Sequence, residues 1–176
     1  MTRPTLARTS SMPCLPLPLN AFELIAAYTF ARITYVSSPV PAVPSAPRPL
    51  FDTVTPLIAG FVAELEPINA IADRAPGFVW RLQTERGDAT SIRPTDDDLF
   101  LINMSVWASI DALRAFTYDT AHVAVLRRRR EWFERLATAH TVLWWVERGH
   151  RPTVDEALER LDRLRRDGPS PLAFTF

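Results

Sequence analysis

The sequence predicts an α+β fold with the ferredoxin-like order β-α-β-β-α-β: an antiparallel sheet with helices on one face, followed by an extra C-terminal helix. Two observations predict it. Four segments rich in β-branched and aromatic residues alternate, in that order, with stretches whose apolar residues recur at helical spacing. The chain has 176 residues, 47% hydrophobic and 23% charged, which suits a single globular domain with a substantial core.

The first half of the chain contains one strand and one helix, separated by a proline-rich segment. Residues 22–35 combine β-branched and aromatic residues without Gly or Pro, which predicts a strand. Residues 36–50 contain five prolines and are expected to be an insertion, because such a segment continues neither a helix nor a central strand. From residue 51 the apolar spacing is helical, and Pro67 and then the Pro-Gly pair at 76–77 are expected to end this helical region.

The second half supplies three strands and the remaining helices. Strands are predicted over residues 77–85, 99–107 and 140–149. Residues 109–136 form a helical stretch that is either continuous or broken near residues 118–120. Thr153 and Glu156 then form the signature of a capping box that opens an amphipathic helix, and Gly168 stands where a C-cap glycine would end it.

Composition excludes several classes of function. All 20 basic residues are Arg, so chemistry that needs a lysine Schiff base, pyridoxal phosphate or a P-loop lysine is ruled out. The net charge of zero argues against a nucleic-acid partner. One Cys excludes an internal disulfide and a Cys-rich zinc site, and no metal is expected. No apolar run approaches a membrane span, so we expect no membrane contact and a cytoplasmic location.

The N-terminus is expected to be an arm outside the folded domain. Residues 1–20 contain four prolines and little periodicity, which predicts a flexible arm before a domain over residues 21–176. An organelle transit peptide is the alternative, since this segment is rich in Arg, Ser and Thr and poor in acids. Its prolines oppose the amphipathic helix that such a peptide needs.

Apolar residues on both faces of the predicted strands suggest that both faces of the sheet are buried. In the third strand Ile102 and Met104 point to one side, whereas Leu101, Asn103 and Trp107 point to the other. The helices between the strands cover only one face. Either a homodimer that packs sheet on sheet or the first 50 residues would cover the second face, and we favour the homodimer.

Four stretches of the sequence carry a resemblance to a known family: EPINAIADRAPGFVWRLQ (66–83), INMSVWASIDALRAFTYDTAHVAVLRRRREWFE (102–134), HTVLWWVERGHRPTVDEALERLDRLRRDGPS (140–170) and AFTF (173–176). They resemble an uncharacterised domain-of-unknown-function family of the dimeric α+β barrel superfamily, alongside the antibiotic-biosynthesis monooxygenases. The resemblance implies a dimeric α+β barrel, and because those monooxygenases oxidise their substrates without a cofactor, no cofactor is expected. Related haem-degrading proteins have a helical Trp about ten residues before a His, whereas here Phe116 stands six residues before His122, so haem is not expected.

Candidate site residues follow from spacing and residue type. On a continuous helix, Tyr118, His122, Val125, Arg129 and Trp132 would share one stripe, with His122 moving a proton and Arg129 stabilising negative charge. Alternatively, His122 is a hydrogen-bonded core histidine. We predict His122, Asn103 and Arg129 as catalytic residues. The predicted substrate-binding residues are Trp107, Tyr118, Trp132, Trp80 and Trp145.

Two functions are compatible with these residues. One is a cofactor-independent monooxygenase, isomerase or cyclase that acts on an aromatic, phenolic or quinone-like molecule. The other is a non-catalytic ligand-binding or structural dimer, in which the same side chains complete the core. Arg81 and Gln83 either face solvent at a strand edge or line a cavity. Convergence of His122, Arg129 and Asn103 on a cavity of at least ~300 Å³ would favour the enzyme.

Overall fold

A computed structural model of the protein describes residues 24–33, 50–97 and 99–176. In this part of the chain the predicted order β-α-β-β-α-β with an extra C-terminal helix is confirmed. The predicted arm over residues 1–20 and most of the predicted insertion lie outside the described residues. The elements are β1 (Leu24–Arg32), α1 (Leu50–Arg74), β2 (Phe78–Arg81), β3 (Phe100–Trp107), α2 (Ile110–Asp119), α3 (His122–Arg128), a 3-10 turn (Arg129–Glu131), β4 (Thr141–Val146) and α4 (Val154–Asp167).

The four strands form one antiparallel sheet in the order β2-β3-β1-β4. Strand β1 lies in the middle and pairs with both β3 and β4, so Ile25 stands opposite Trp107 on one side and Trp145 on the other. Residues that stand directly opposite each other share a face of the sheet. The register therefore fixes which side chains meet on each face.

Helices cover both faces of the sheet. Helices α1, α2 and α3 cover one face, which we call the three-helix face, where Ala72 and Leu113 bury Ile25, Trp107 and Leu143. Helix α4 covers the opposite face, which we call the α4 face. Its buried cluster includes Tyr28, Met104 and Trp144 from the strands and Ala157, Leu161 and Leu164 from the helix.

The extra helix thus covers the face that the sequence assigned to a partner or to the first 50 residues. Trp144 and Met104 are fully buried within a single chain. The apolar residues of this face therefore do not by themselves require a second copy. The homodimer stays a prediction, which light scattering at micromolar concentration tests directly: a monomer mass would contradict it.

Helix α1 runs through Pro67 to Arg74, so the expectation that Pro67 ends it is wrong. A proline inside a helix cannot donate to the carbonyl four residues earlier, here that of Ala63. Both Ala63 and Pro67 are exposed, so water can bind the carbonyl that the proline leaves without a donor. The helix ends at Arg74, just before the Pro-Gly pair that was predicted to end it. Gly77 has a φ of +81°, which is readily available only to glycine, and an added Cβ would lie 2.6 Å from Ala112 Cβ.

Helix α4 has the predicted caps, with one difference at its start. Thr153 Oγ1 accepts from the backbone N–H of Glu156 at 3.2 Å, and Gly168 ends the helix with a φ of +77°. The Glu156 carboxylate does not complete the capping box. It instead accepts from Trp144 Nε1 at 2.9 Å and lies 2.7 Å from His150 Nε2. One carboxylate therefore joins β4, the following loop and α4.

Candidate functional site

A polar row crosses the middle of the sheet on the three-helix face. Asn103, Thr29 and Thr141 stand opposite one another on β3, β1 and β4, and the Thr29 and Thr141 hydroxyl oxygens lie 3.4 Å apart. The neighbouring row contains Ser105 and Ala27. Asn103 is exposed, although its strand is central and three helices lie above this face. The helices thus leave the centre of the sheet uncovered.

Two buried apolar clusters flank this polar row. One contains Trp107 and Leu143, packed under α2. The other contains Ile33, Leu101 and Trp132, packed under α1 and the end of α3. The core on the three-helix face is therefore divided, and small or polar side chains occupy the division.

Asn103 lines a cleft of about 60 Å³ between β3, α1 and the loop that joins β2 to β3. We call it the Asn103 cleft. The lining is mixed, because apolar side chains from α1 face polar ones from the strands and the loop. These residues are Phe61, Leu65, Asn69, Arg81, Leu82, Asp88, Ala89, Thr90, Leu101, Ile102 and Asn103.

Arg81 enters this cleft because β2 contains an irregularity. Phe78 pairs with Trp107, whereas Trp80 pairs with Val106 and Arg81 with Ser105, so one extra residue stands between Phe78 and Trp80. Phe78 and Trp80 therefore lie on opposite faces of the sheet, whereas strict alternation would place them on the same face. The shift turns Arg81 to the three-helix face. Of the two alternatives for Arg81, a solvent-facing strand edge or a cavity lining, the structure shows the cavity lining.

The Arg81 guanidinium is held in place by three hydrogen bonds. Nε and Nη2 donate to the two carboxylate oxygens of Asp73 at 2.8 and 3.2 Å, and Nη1 donates to the Gly87 carbonyl at 2.6 Å. The side chain is only 13% exposed. Two of the five guanidinium N–H groups, one on each terminal nitrogen, have no partner in the described part of the chain.

His122 lies at the end of a row of three rings. Phe116 lies in the middle: its ring stacks on Trp107 with the centroids 5.0 Å apart, and its centroid lies 4.9 Å from that of the His122 ring. Burial lowers the pKa of His122, and its hydrogen bond to the Thr117 carbonyl opposes this only in part. The carbonyl can only accept, so Nδ1 carries the proton in that bond and Nε2 of the neutral ring has a free lone pair. The imidazole can therefore accept a proton at neutral pH.

A family model described as "Domain of unknown function (DUF3291)" matches residues 49–176. The chain belongs to the DUF3291 family. This confirms the uncharacterised family that the sequence resembles, while membership of the dimeric α+β barrel superfamily stays a prediction. No curated protein matches the DUF3291 chain.

The solved structures that are similar to the DUF3291 chain include the two described next. One is a variant of SnoaB, a cofactor-independent oxygenase from Streptomyces nogalater, with 17% identity and a TM-score of 0.41 over 76% of this chain and 100% of that chain. The other is NE2512, a protein of unknown function from Nitrosomonas europaea, with 10% identity and a TM-score of 0.41 over 76% of this chain and 97% of that chain. At these values neither structure bears on what the DUF3291 chain does.

The predicted helical stripe is not formed in the DUF3291 chain. The helix breaks at Thr120, whose backbone is extended, so Tyr118 lies in the last turn of α2 and His122 is the first residue of α3. Tyr118 is 49% exposed and contacts Phe176. Arg129 is exposed and donates to the Leu126 carbonyl at 2.7 Å.

The predicted tryptophans lie in three different places. Trp132 is buried against Phe61, with ring centroids 5.8 Å apart, and Trp107 is buried under Phe116. Trp145 lies on the three-helix face against Phe174 from the C-terminal segment. Trp80 packs on the α4 face, away from the Asn103 cleft. The binding roles of these four side chains stay predictions.

Neither of two cavities in the described ranges is lined by all three predicted catalytic residues. Asn103 lines the small cleft, whereas a larger hollow of about 390 Å³ lies between the α1–β2 turn and α2. Phe116 and Thr120 line that hollow, but His122, Arg129 and Asn103 do not. Neither cavity therefore meets the geometric condition that favours the enzyme, and the catalytic roles of these three residues stay predictions.

Asn69, Asp88 and Thr90 line the Asn103 cleft but were not singled out from the sequence. Asp88 and Thr90 have a local signature, because Asp88 Oδ1 accepts from the Thr90 backbone N–H at 2.8 Å and from its hydroxyl at 2.5 Å. That pattern predicts a turn and does not indicate a cavity. The described residues contain no group of three potential metal ligands, and no described helix is long and apolar enough to cross a membrane.

Proposed function

We propose that this protein binds a small molecule in the Asn103 cleft. The observation that carries the proposal is the exposed amide of Asn103 in a central strand, on the same face as Leu101 and Trp107, which are buried. Core faces under helices are normally filled with apolar side chains. A cleft there with apolar walls and a few converging polar groups is the usual form of a small-molecule site.

The polar groups of the cleft are suited to recognition. The Asn103 amide can donate and accept, and Arg81 is held rigid by Asp73 and the Gly87 carbonyl. Groups that are already fixed lose little conformational freedom when a ligand binds. Phe61 and Leu65 add an apolar wall, which suits a ligand with an aromatic or otherwise apolar body.

Replacing Asn103 by alanine is expected to weaken binding about tenfold, the effect of losing one or two net hydrogen bonds. The measurement is a calorimetric titration with whichever members of a panel of phenols, quinones and aryl ketones raise the melting temperature of the wild-type chain. Gln83→Ala is the matched control, because Gln83 is an exposed amide just after β2 that does not line the cleft. Equal affinities for Asn103→Ala and wild type would contradict the proposal.

A second candidate function is cofactor-independent oxidation of a phenolic substrate. The neutral His122 imidazole with its free Nε2 supports this candidate, since it can take the phenolic proton. Dioxygen would be the oxidant, with one oxygen atom entering the quinone product and the other leaving as water.

Oxygen consumption with the phenols that bind tests this second candidate. His122→Gln keeps a side-chain donor for the Thr117 carbonyl but removes the base, and we expect turnover to fall at least about a hundredfold. Unchanged turnover would exclude His122 as the base. Binding without any oxygen uptake would favour the non-catalytic alternative.

A further inference from the structure

The geometry points to one class of ligand for the Asn103 cleft: an uncharged molecule that presents a carbonyl oxygen and an adjacent hydroxyl, such as an aryl hydroxyketone. This inference rests on the proposed function, because it describes the occupant of the same cleft. It depends on the donors of Arg81, the acceptor of Asp88, the balance of charge and the space between them.

Arg81 and Asn103 create a need for an acceptor atom in the ligand. Nη1 and Nη2 of Arg81 each retain an N–H beyond the bonds to Asp73 and the Gly87 carbonyl. Arg81 and Asn103 line the same cleft of about 60 Å³. A carbonyl oxygen has two lone pairs and can therefore accept from both side chains at once.

Asp88 creates a need for a donor atom in the ligand. Both bonds from Thr90 go to Asp88 Oδ1, and in the described part of the chain Oδ2 accepts none. Asp88 lines the same small cleft as Arg81. A carboxylate oxygen can only accept, so the ligand group beside it must carry a proton, as a hydroxyl does.

The charges of the cleft lining cancel, which favours an uncharged ligand. Arg81 and Asp88 are the charged residues of the lining, one of each sign. A ligand carboxylate would lie close to Asp88 and to Asp73, which pairs with Arg81, and a ligand cation would meet Arg81.

The space fits the polar edge of such a ligand. A cleft of about 60 Å³ holds only a few water molecules, so it has room for the polar edge of such a ligand and not for its whole body. The two oxygens of a hydroxyketone edge would replace those waters and reproduce their hydrogen bonds. Phe61 and Leu65 then flank the remainder of the molecule.

Three probes of matched size test this inference on the full chain: 2-hydroxyacetophenone, acetophenone and phenylglyoxylate. The readout is the ¹⁵N NMR shift of the Arg81 Nε–H and of the Asn103 side-chain amide during titration. We expect 2-hydroxyacetophenone to shift both signals and to bind at least about tenfold more tightly than acetophenone, which lacks the hydroxyl, and than phenylglyoxylate, which carries a charge.

Two variants locate the recognition. Asp88→Asn keeps the acceptor for Thr90 but replaces Oδ2 by an NH₂ group, which donates. The affinities for 2-hydroxyacetophenone and acetophenone should then become about equal. Arg81→Lys keeps a cation beside Asp73 but loses the planar guanidinium with its several N–H donors. The affinities for all three probes should therefore fall about tenfold. Gln83→Ala, outside the cleft, should change none of them.

The outcomes separate this inference from the proposed function. If phenylglyoxylate shifts Asn103 and binds as tightly as the hydroxyketone, or if Asp88→Asn leaves the preference intact, the cleft binds ligands but the assigned class is wrong. If none of the three probes shifts either signal and the wider panel also leaves Asn103→Ala equal to wild type, both are overturned.

Discussion

Replacing Trp107 by alanine is expected to lower the free energy of unfolding by about 3–5 kcal/mol, the range found when a large buried aromatic side chain is removed. The Trp107 side chain is fully buried. Its ring lies 5.3 Å from that of Phe78 and 5.0 Å from that of Phe116, and Nε1 donates to Ser105 Oγ at 2.9 Å. Urea denaturation followed by circular dichroism measures the change.

Two further variants show whether this loss comes from packing. Trp107→Phe keeps an aromatic ring and loses the bond to Ser105, so its cost should be well below that of alanine. Tyr118→Ala removes a ring that is 49% exposed and should cost less than about 1 kcal/mol. A cost for Trp107→Ala near that of Tyr118→Ala would show that the ring does not stabilise the core and would favour its predicted role in binding a substrate.

Replacing Glu156 by alanine is expected to lower the free energy of unfolding by about 2–3 kcal/mol. Trp144 is fully buried, and its Nε1 would lose its acceptor. A buried N–H without an acceptor destabilises the folded state, because it has given up its hydrogen bond to water and has no other. The contact with His150 would also be lost. Glu156→Gln retains a carbonyl oxygen for Trp144 and should recover most of the loss. Equal destabilisation by both variants would contradict this explanation.

The same carboxylate makes stability depend on pH. Burial raises the pKa of Glu156, but the hydrogen bonds from His150 and Trp144 outweigh burial and hold the pKa below its usual value of 4.5. The unfolded chain therefore takes up this proton first as the pH falls. The stabilisation is fully present above about pH 4.5 and is lost as the pH falls through the lower pKa of the folded state.

Melting temperatures between pH 3 and pH 7 test this dependence. Wild type should lose more stability than Glu156→Gln below about pH 4.5, since the glutamine does not titrate. Glu159→Gln is the matched control, because Glu159 is an exposed glutamate one turn along the same helix. If the wild type and Glu156→Gln lose stability in parallel, the carboxylate is not the group responsible.

Part of the candidate site could be predicted from the sequence alone. Alternation along β3 placed Asn103, Ser105 and Trp107 on one face, and the register confirms this. A polar amide among apolar neighbours was a visible signal. The break near residue 120 was one of two alternatives, because local spacing alone does not show whether a helix continues through a threonine.

Other features depended on the partners that each segment meets. The extra residue in β2 reverses the faces of Trp80 and Arg81, and only the pairing with β3 reveals it. Pro67 is tolerated inside α1 because its turn faces solvent. The Asn103 cleft joins α1, the β2–β3 loop and β3, which are separated along the chain.

By itself the sequence determined the order of the elements, the faces of β3, the caps of α4 and the exclusion of lysine chemistry. These follow from periodicity and composition, which are local properties. The tertiary structure decided that α4 covers the second face of the sheet and that Arg81 lies beside Asn103. Both depend on contacts between distant segments, and such contacts are set by packing rather than by the local spacing of residues.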